Sequence, residues 1–209
     1  MAHARICLIH GAATTSRIWR DVVGALPPQW RISCPDRACS GSLDTEARAL
    51  AALCADAVVV GVSGGATLGW ELAARGVRFR AAVLHEPAVG SLVPGLLAPM
   101  AAAFVSGGVD AFGATLYGPA WRPAYAPADP DAVARDLAMF QAFEPRPPAP
   151  GSGPVTITVG ERSPQIRHEA ARLLAERFVL PVRVLPGSGH AAHLDQPIGL
   201  AALIVGVSA

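Results

Sequence analysis

The stretch from Ala57 to Leu72, AVVVGVSGGATLGWEL, limits what this chain can fold into more than any other segment. Its unbroken apolar run, Ala57 to Val60, suits a parallel strand covered on both faces, and Leu68 and Leu72 fall on one side of the helix that follows. Between them Gly61-Val62-Ser63-Gly64-Gly65 is a G-x-S-x-G turn of small residues. In a strand-turn-helix context such a turn exposes its serine oxygen on a strained backbone, and the glycines let strand and helix come close. Ser63 is therefore the candidate nucleophile.

The flanking segments extend this unit into a domain. RICLI (5 to 9) reads as a strand running into His10-Gly11-Ala12-Ala13, and a helix from Ser16 to Leu26 ends at Pro27-Pro28. A strand at 31 to 33 and a helix from Thr45 to Cys54 precede the serine strand; a strand at 79 to 84 follows it and ends in His85-Glu86-Pro87. From 88 to 150 the pattern changes to proline, glycine and helical stretches (96–105, 109–117 and 131–143) with no strand, as expected of an inserted helical cap and return linker. Phe104, Trp121, Tyr125, Phe140 and Phe143 are aromatic residues that could line a pocket there or pack the cap onto the core. The alternation then resumes. VTITV at 155 to 159 is a strand, 164 to 178 a helix with Ile166, Ala170, Leu173 and Leu174 on its apolar face, 182 to 185 the last strand, and 197 to 207 a closing helix.

Strands alternating with helices predict an α/β fold: a mostly parallel, doubly wound sheet of about six strands. Its core is expected at 1–87 and 151–209, with the cap at 88–150. Reactive groups in such sheets gather at the carboxyl ends of the strands, where Gly11, Ser63 and Glu86 fall. His190, in the Gly-Ser-Gly-His loop after the last strand, is the candidate base, placed beyond Ser63 in the chain order of one hydrolase class.

Composition excludes several classes of partner. The formal net charge of the 209 residues is +1, with 16% charged and 6% aromatic residues, so neither nucleic acid nor an anionic membrane is indicated and a neutral, largely apolar small molecule fits better. No run has the roughly eighteen apolar residues of a membrane span, and residues 1 to 11 read as a core strand, not a signal peptide, so a cytoplasmic protein is expected, monomeric or homodimeric. Cys7, Cys34, Cys39 and Cys54 form no C-x-x-C pair and read as reduced thiols, Cys39 in a loop being the one open to reactivity. No metal site and no cofactor are expected, since the histidines lack ligand spacing and no glycine-rich nucleotide pattern follows the first strand.

Taken in order, His10-Gly11, Pro35-Asp36 with Gly41-Ser42, GVSGG, Leu84-His85-Glu86-Pro87 and GSGHAAHLDQP at 187 to 197 resemble the α/β-hydrolase superfamily over nearly the whole chain, in the style of its compact capped serine hydrolases. The resemblance implies an oxyanion hole from the backbone N–H groups of Gly64 and Ala12, with Ala13 as the neighbouring option, and a structural role for His10. It implies an acyl-enzyme on Ser63, formed from a small ester, thioester or lactone. Alternatives are a C–C bond hydrolase or lyase using the same Ser63 and His190, and a non-catalytic member that binds a small ligand.

The chain departs from the family at the third triad member. In Gly160-Glu161-Arg162-Ser163, Ser163 stands where an aspartate is usual, and a hydroxyl cannot balance an imidazolium charge. Glu86, after the strand that follows the serine helix, is taken as the acid; Glu161 and no acid at all are the alternatives.

Overall fold

The computed structural model describes residues 4–208, so Ala209 and the first three residues of the stretch read as strand at 1 to 11 lie outside it. Six strands form one sheet in which every pairing is parallel: β1 (Arg5–Ile9), β2 (Arg31–Ser33), β3 (Val58–Val62), β4 (Ala81–His85), β5 (Val155–Gly160) and β6 (Val182–Leu185), in the order β2-β1-β3-β4-β5-β6. β3 and β4 are buried at every residue, which is why they read as continuous apolar runs and not as alternations.

Alternate side chains of each central strand enter two different cores. Val58, Val60 and Val62 join Ile6, Leu8 and Val83 against Trp19, Val22, Leu200 and Ile204, which come from a short 3-10 turn, α1 (Arg20–Ala25) and α8 (Pro197–Ser208). Val59 joins Cys7, Ile9, Leu84 and Ile157 on the other face, covered by α2 (Leu43–Cys54), α3 (Gly64–Ala74) and α6 (Gln165–Phe178). This period of two over a doubly covered sheet fixes the register, because a slip of one residue would exchange the two cores.

β1 pairs with β2 on one side and β3 on the other, so the winding reverses beside β1. Loops leaving β1 and β3 diverge there and open a crevice at the carboxyl edge of the sheet. Gly11 and Ser63 occupy that crevice.

The excursion between β4 and β5 contains α4 (Ala98–Tyr117), three short 3-10 turns and α5 (Ala132–Gln141), with no strand among the described residues. α4 is broken at Gly107 and Gly108, the latter at φ +62, so it is two helical pieces matching the two stretches expected on either side of these glycines. One expectation fails on α6. Its buried face is Arg167, Ala170, Ala171 and Leu174, while Ile166 is 40% exposed. The apolar stripe is rotated by one position because Arg167 fills the place nearest the site.

Candidate active site

The turn after β3 has the geometry its sequence demands. Ser63 lies at φ 58, ψ −122, a conformation that costs a non-glycine residue about 1–3 kcal/mol and persists only when its surroundings impose it. They do. A Cβ on Gly65 would overlap the carbonyl oxygen of Ile9, and one on Gly61 would overlap the backbone of Gly65, so β1, β3 and α3 are packed to glycine distance. Ser63 N–H donates to His85 O at 2.9 Å, which ties the turn to β4. Gly64 is the first residue of α3, and its N–H, like those of any first helical turn, has no acceptor within the helix.

His190 follows β6 in a loop held from two sides, by His85 and by Asp195. His85 donates its Nε2–H to Gly189 O (3.1 Å) and accepts at Nδ1 from Thr158 Oγ1 (3.0 Å). Asp195 Oδ2, in the short helix α7 (Ala192–Asp195), accepts from Gly189 N (2.7 Å) and pairs with Arg162. The imidazole of His190 thus presents Nδ1 to Glu86 Oε2 at 2.6 Å. Its Nε2 is buried with no hydrogen-bond partner.

Glu86, at φ 49 immediately after β4, is therefore the carboxylate that contacts the His190 ring. Its Oε1 accepts from Gly160 N (2.9 Å) and from Ser163 Oγ (2.5 Å). The serine that stands in place of the usual aspartate is a hydrogen-bond donor to the glutamate that reaches in from the neighbouring strand. Glu161 is turned away, its Oε2 accepting from Gly187 N at 2.7 Å. His193 is packed against Trp19 and Tyr117 with both ring nitrogens buried and unpartnered.

Electrostatics sets these groups in a consistent state. Burial alone would raise the Glu86 carboxyl, but the hydrogen bond and charge of His190, with His85 and Arg167, hold it well below the usual carboxylate range. Burial, reinforced by the Arg167 charge and opposed by Glu86, lowers His190 from 6.5 to about 4. At neutral pH the pair is an ionised carboxylate and a neutral imidazole. With Nδ1–H donated to Glu86, Nε2 carries the lone pair.

The loop after β1 is fastened by side chains from elsewhere. Arg37, fully buried, donates from Nε to His10 O (3.1 Å) and from Nη2 to Gly11 O (3.2 Å). The same guanidinium pairs with Asp136 of α5 (2.5 Å) and Glu46 of α2 (3.4 Å). His10 donates Nδ1–H to Gly11 O and accepts the Arg37 N–H at Nε2 (3.1 Å), a structural role; burial, with the Arg37 charge, lowers its pKa to about 3. From α4, Tyr117 Oη donates to Ala12 O (2.9 Å), and Trp121 Nε1 just beyond donates to Ala13 O (3.0 Å). The Tyr117 phenol also interacts with the Ser63 and Thr14 hydroxyls, and burial pushes its pKa up.

A cavity of about 20 Å³, room for roughly one water, lies over Ser63, Ala12 and Gly64. Leu97, Met100, Phe112, Leu116, Leu137 and Phe140 wall it from the excursion, and Arg167 enters from α6. Of the aromatic residues singled out in the sequence, Phe140 lines this cavity; Trp121 bonds the β1 loop, Phe143 is buried in the core, and Phe104 and Tyr125 are half-buried against it. Cys39 is buried, and burial pushes its thiol up to about 12, so it is not a reactive thiolate. Among the described residues no group of three or more His, Cys, Asp or Glu is placed to hold a metal ion, and no helix is long and apolar enough to cross a membrane.

Sequence reasoning missed Arg37, Asp136, Tyr117 and Arg167. For Asp136 and Arg167 the available signal was a charged residue inside the buried face of an amphipathic helix.

A parallel sheet that gathers Ser63, His190 and Glu86 past the carboxyl ends of three different strands defines a class, the α/β proteins that build their site at that edge. The model of the alpha/beta hydrolase family matches residues 8–203, and the chain belongs to that family. Among solved structures it is similar to the enol-lactonase from Burkholderia xenovorans LB400 (19% identity, TM-score 0.73, covering 99% of this chain and 92% of that one). It is also similar to a pyrethroid hydrolase from Sphingobium faniae JZ-2 (16%, TM-score 0.73, 99% and 98%). A third is a lipase-esterase related protein from Clostridium acetobutylicum ATCC 824 (12%, TM-score 0.75, 98% and 95%). At these identities the likeness is one of fold. No curated protein matches the sequence.

Proposed function

We propose that the protein is a serine hydrolase that opens a small ester, thioester or lactone through an acyl-enzyme on Ser63. The observation that carries this reading is the 2.6 Å contact between His190 Nδ1 and Glu86 Oε2, which leaves Nε2, buried and without a hydrogen-bond partner, as the basic nitrogen at the sheet edge where the strained turn of Ser63 lies. Ser63 Oγ attacks the carbonyl carbon as His190 Nε2 takes its proton. The N–H groups of Gly64 and Ala12 receive the oxyanion. The imidazolium, balanced by Glu86, protonates the departing alkoxide or thiolate. Water, deprotonated by the same imidazole, then releases the acid and regenerates Ser63.

The excursion, 88–150 with its return linker, serves as the cap over this site. In this structure the cavity has room for about one water, and outward movement of α4 and α5, which carry most of its apolar wall, is the way in for an ester. The non-catalytic alternative drew its force from a missing acid, and Glu86 supports the enzymatic reading instead. The names of the similar structures, an enol-lactonase and esterases among them, agree with an ester or lactone substrate.

The test is covalent labelling. A fluorophosphonate should modify wild type at Ser63 and leave Ser63→Ala unmodified. Absence of labelling in native wild type removes the proposal.

A further inference from the structure

Among the described residues two arginines are buried, and they are treated differently. The Arg37 guanidinium is saturated by His10 O, Gly11 O, Glu46 and Asp136. Arg167, 6% exposed, makes no side-chain hydrogen bond among the described residues; its one ionic neighbour is Glu86, with Nε 3.7 Å from Oε2. That separation is too long for a hydrogen bond. Glu86 does not need it either, since Gly160 N, Ser163 Oγ and His190 Nδ1 already satisfy its two oxygens.

The side chain lines the cavity that also holds Ser63, Gly64 and Ala12; its other walls are apolar apart from Thr67 and Glu86, and the Glu86 carboxylate is already satisfied by its three donors. A guanidinium offers five donors in a planar fork, and Arg167 holds it in a largely buried place with Glu86, 3.7 Å away, as its ionic neighbour, a costly position for a charge so poorly paired. Nor does the cation assist the relay by itself: its charge opposes formation of the His190 imidazolium. Both costs disappear if the molecule that fills the cavity brings an anion of its own.

We propose that Arg167 is a substrate anchor, and that the ester or lactone opened at Ser63 carries a free carboxylate which this guanidinium receives inside the cavity. The substrate body is apolar and one end is anionic, in place of the wholly neutral molecule expected from net charge. This rests on the hydrolase reading above.

The test compares isosteric pairs that differ in charge: the monoethyl esters of succinic, glutaric and adipic acid against their ω-carboxamides, and the butanoyl ester of 4-hydroxybutanoate against its amide. The first set places the carboxylate on the acyl side, the last on the alcohol side. A charge-assisted hydrogen bond to a buried guanidinium predicts a carboxylate-over-amide ratio in kcat/KM of about 10 to 100 for wild type in at least one set. Arg167→Met should bring that ratio to one or below, and Arg167→Lys, which keeps the charge without the fork, should lie between. A wild-type ratio at or below one in every set overturns the proposal. So does a ratio that Arg167→Met leaves unchanged, because Arg167 would then act through Glu86 on all substrates alike. If Arg167→Met does not fold, the Arg167→Lys ratio decides on the same terms. Fluorophosphonate labelling of wild type separates the two readings: Ser63 labelled without carboxylate preference sinks the anchor alone, and no labelling sinks the hydrolase.

Discussion

Replacing Glu86 by glutamine changes one atom and should remove nearly all turnover, for a reason legible in the hydrogen bonds. Oε1 of Glu86 accepts from Gly160 N and Ser163 Oγ, so the amide oxygen of the glutamine will stay on that side. The amide NH₂ then faces His190 Nδ1 at the former position of Oε2, 2.6 Å away in the wild type. Two donors cannot share that contact. The imidazole must move its proton to Nε2, the tautomer that has no lone pair for Ser63. A neutral amide in place of the acid of such a relay lowers kcat by about 10⁴, or roughly 5.4 kcal/mol of transition-state stabilisation. The assay is steady-state hydrolysis of 4-nitrophenyl butanoate near pH 7.5, with circular dichroism to verify the fold. Adding Ser163→Asp to Glu86→Gln returns a carboxylate from the adjacent strand and should recover at least about tenfold. A Glu86→Gln enzyme that keeps a tenth of wild-type kcat would refute the reasoning.

Further outcomes follow from the same geometry. His190 must be neutral to act as base, and its pKa lies at about 4, below the ordinary 6.5; kcat/KM should therefore fall with a midpoint near 4 as pH drops, and a midpoint near 6.5 would contradict the burial argument. In that interval the unfolded chain binds more protons at this site than the folded one, so its contribution to stability is full above pH 6.5 and is lost as pH falls through 4, which urea titrations at several pH values will show. Asp136→Asn strips the buried Arg37 of its closest counter-charge and should cost about 3–5 kcal/mol in urea unfolding, whereas a loss under 1 kcal/mol would mean the ion pair is not needed. Phe140, which sits against Gly64, separates the Ser63 cavity from a second one of about 210 Å³ lined by Val89, Val93 and Leu96. Phe140→Ala should raise the octanoate-to-acetate ratio of kcat/KM by at least about tenfold, at a stability cost of about 3–5 kcal/mol; an unchanged ratio would show that the two spaces do not join.

What the sequence disclosed, and what it hid, divides along the range of the interactions. The strand-turn-helix around Ser63 is local: apolar strand, glycines and helix lie within sixteen residues, and each constrains its neighbours directly. Alternation of strands and helices discloses the parallel sheet but not its strand order, and His190 is legible from its loop after the last strand and its place beyond Ser63. Glu86 could only be named as one of two candidate acids, because its contact with His190 spans 104 residues and depends on β4, β5 and β6 lying in that order. The bonds from Tyr117 to Ala12 and from Trp121 to Ala13 span 105 and 108 residues and join a proline-rich excursion to the first loop, with no periodicity to announce them. On α6, hydrophobicity places Ile166 inward, yet Arg167 is buried and Ile166 is not. A charge inside a buried stripe is the mark of a site, and pattern reading discards it as noise.

The proposed mechanism turns on acylation of Ser63 with His190 and Glu86 behind it. The most direct measurement is rapid-quench mass spectrometry during hydrolysis of 4-nitrophenyl butanoate, followed by peptide mapping. A transient adduct of one butanoyl group is expected on the peptide containing Ser63, absent in Ser63→Ala and much slower to form in Glu86→Gln. Turnover with no acyl adduct at any time, or an adduct on another residue, would contradict it.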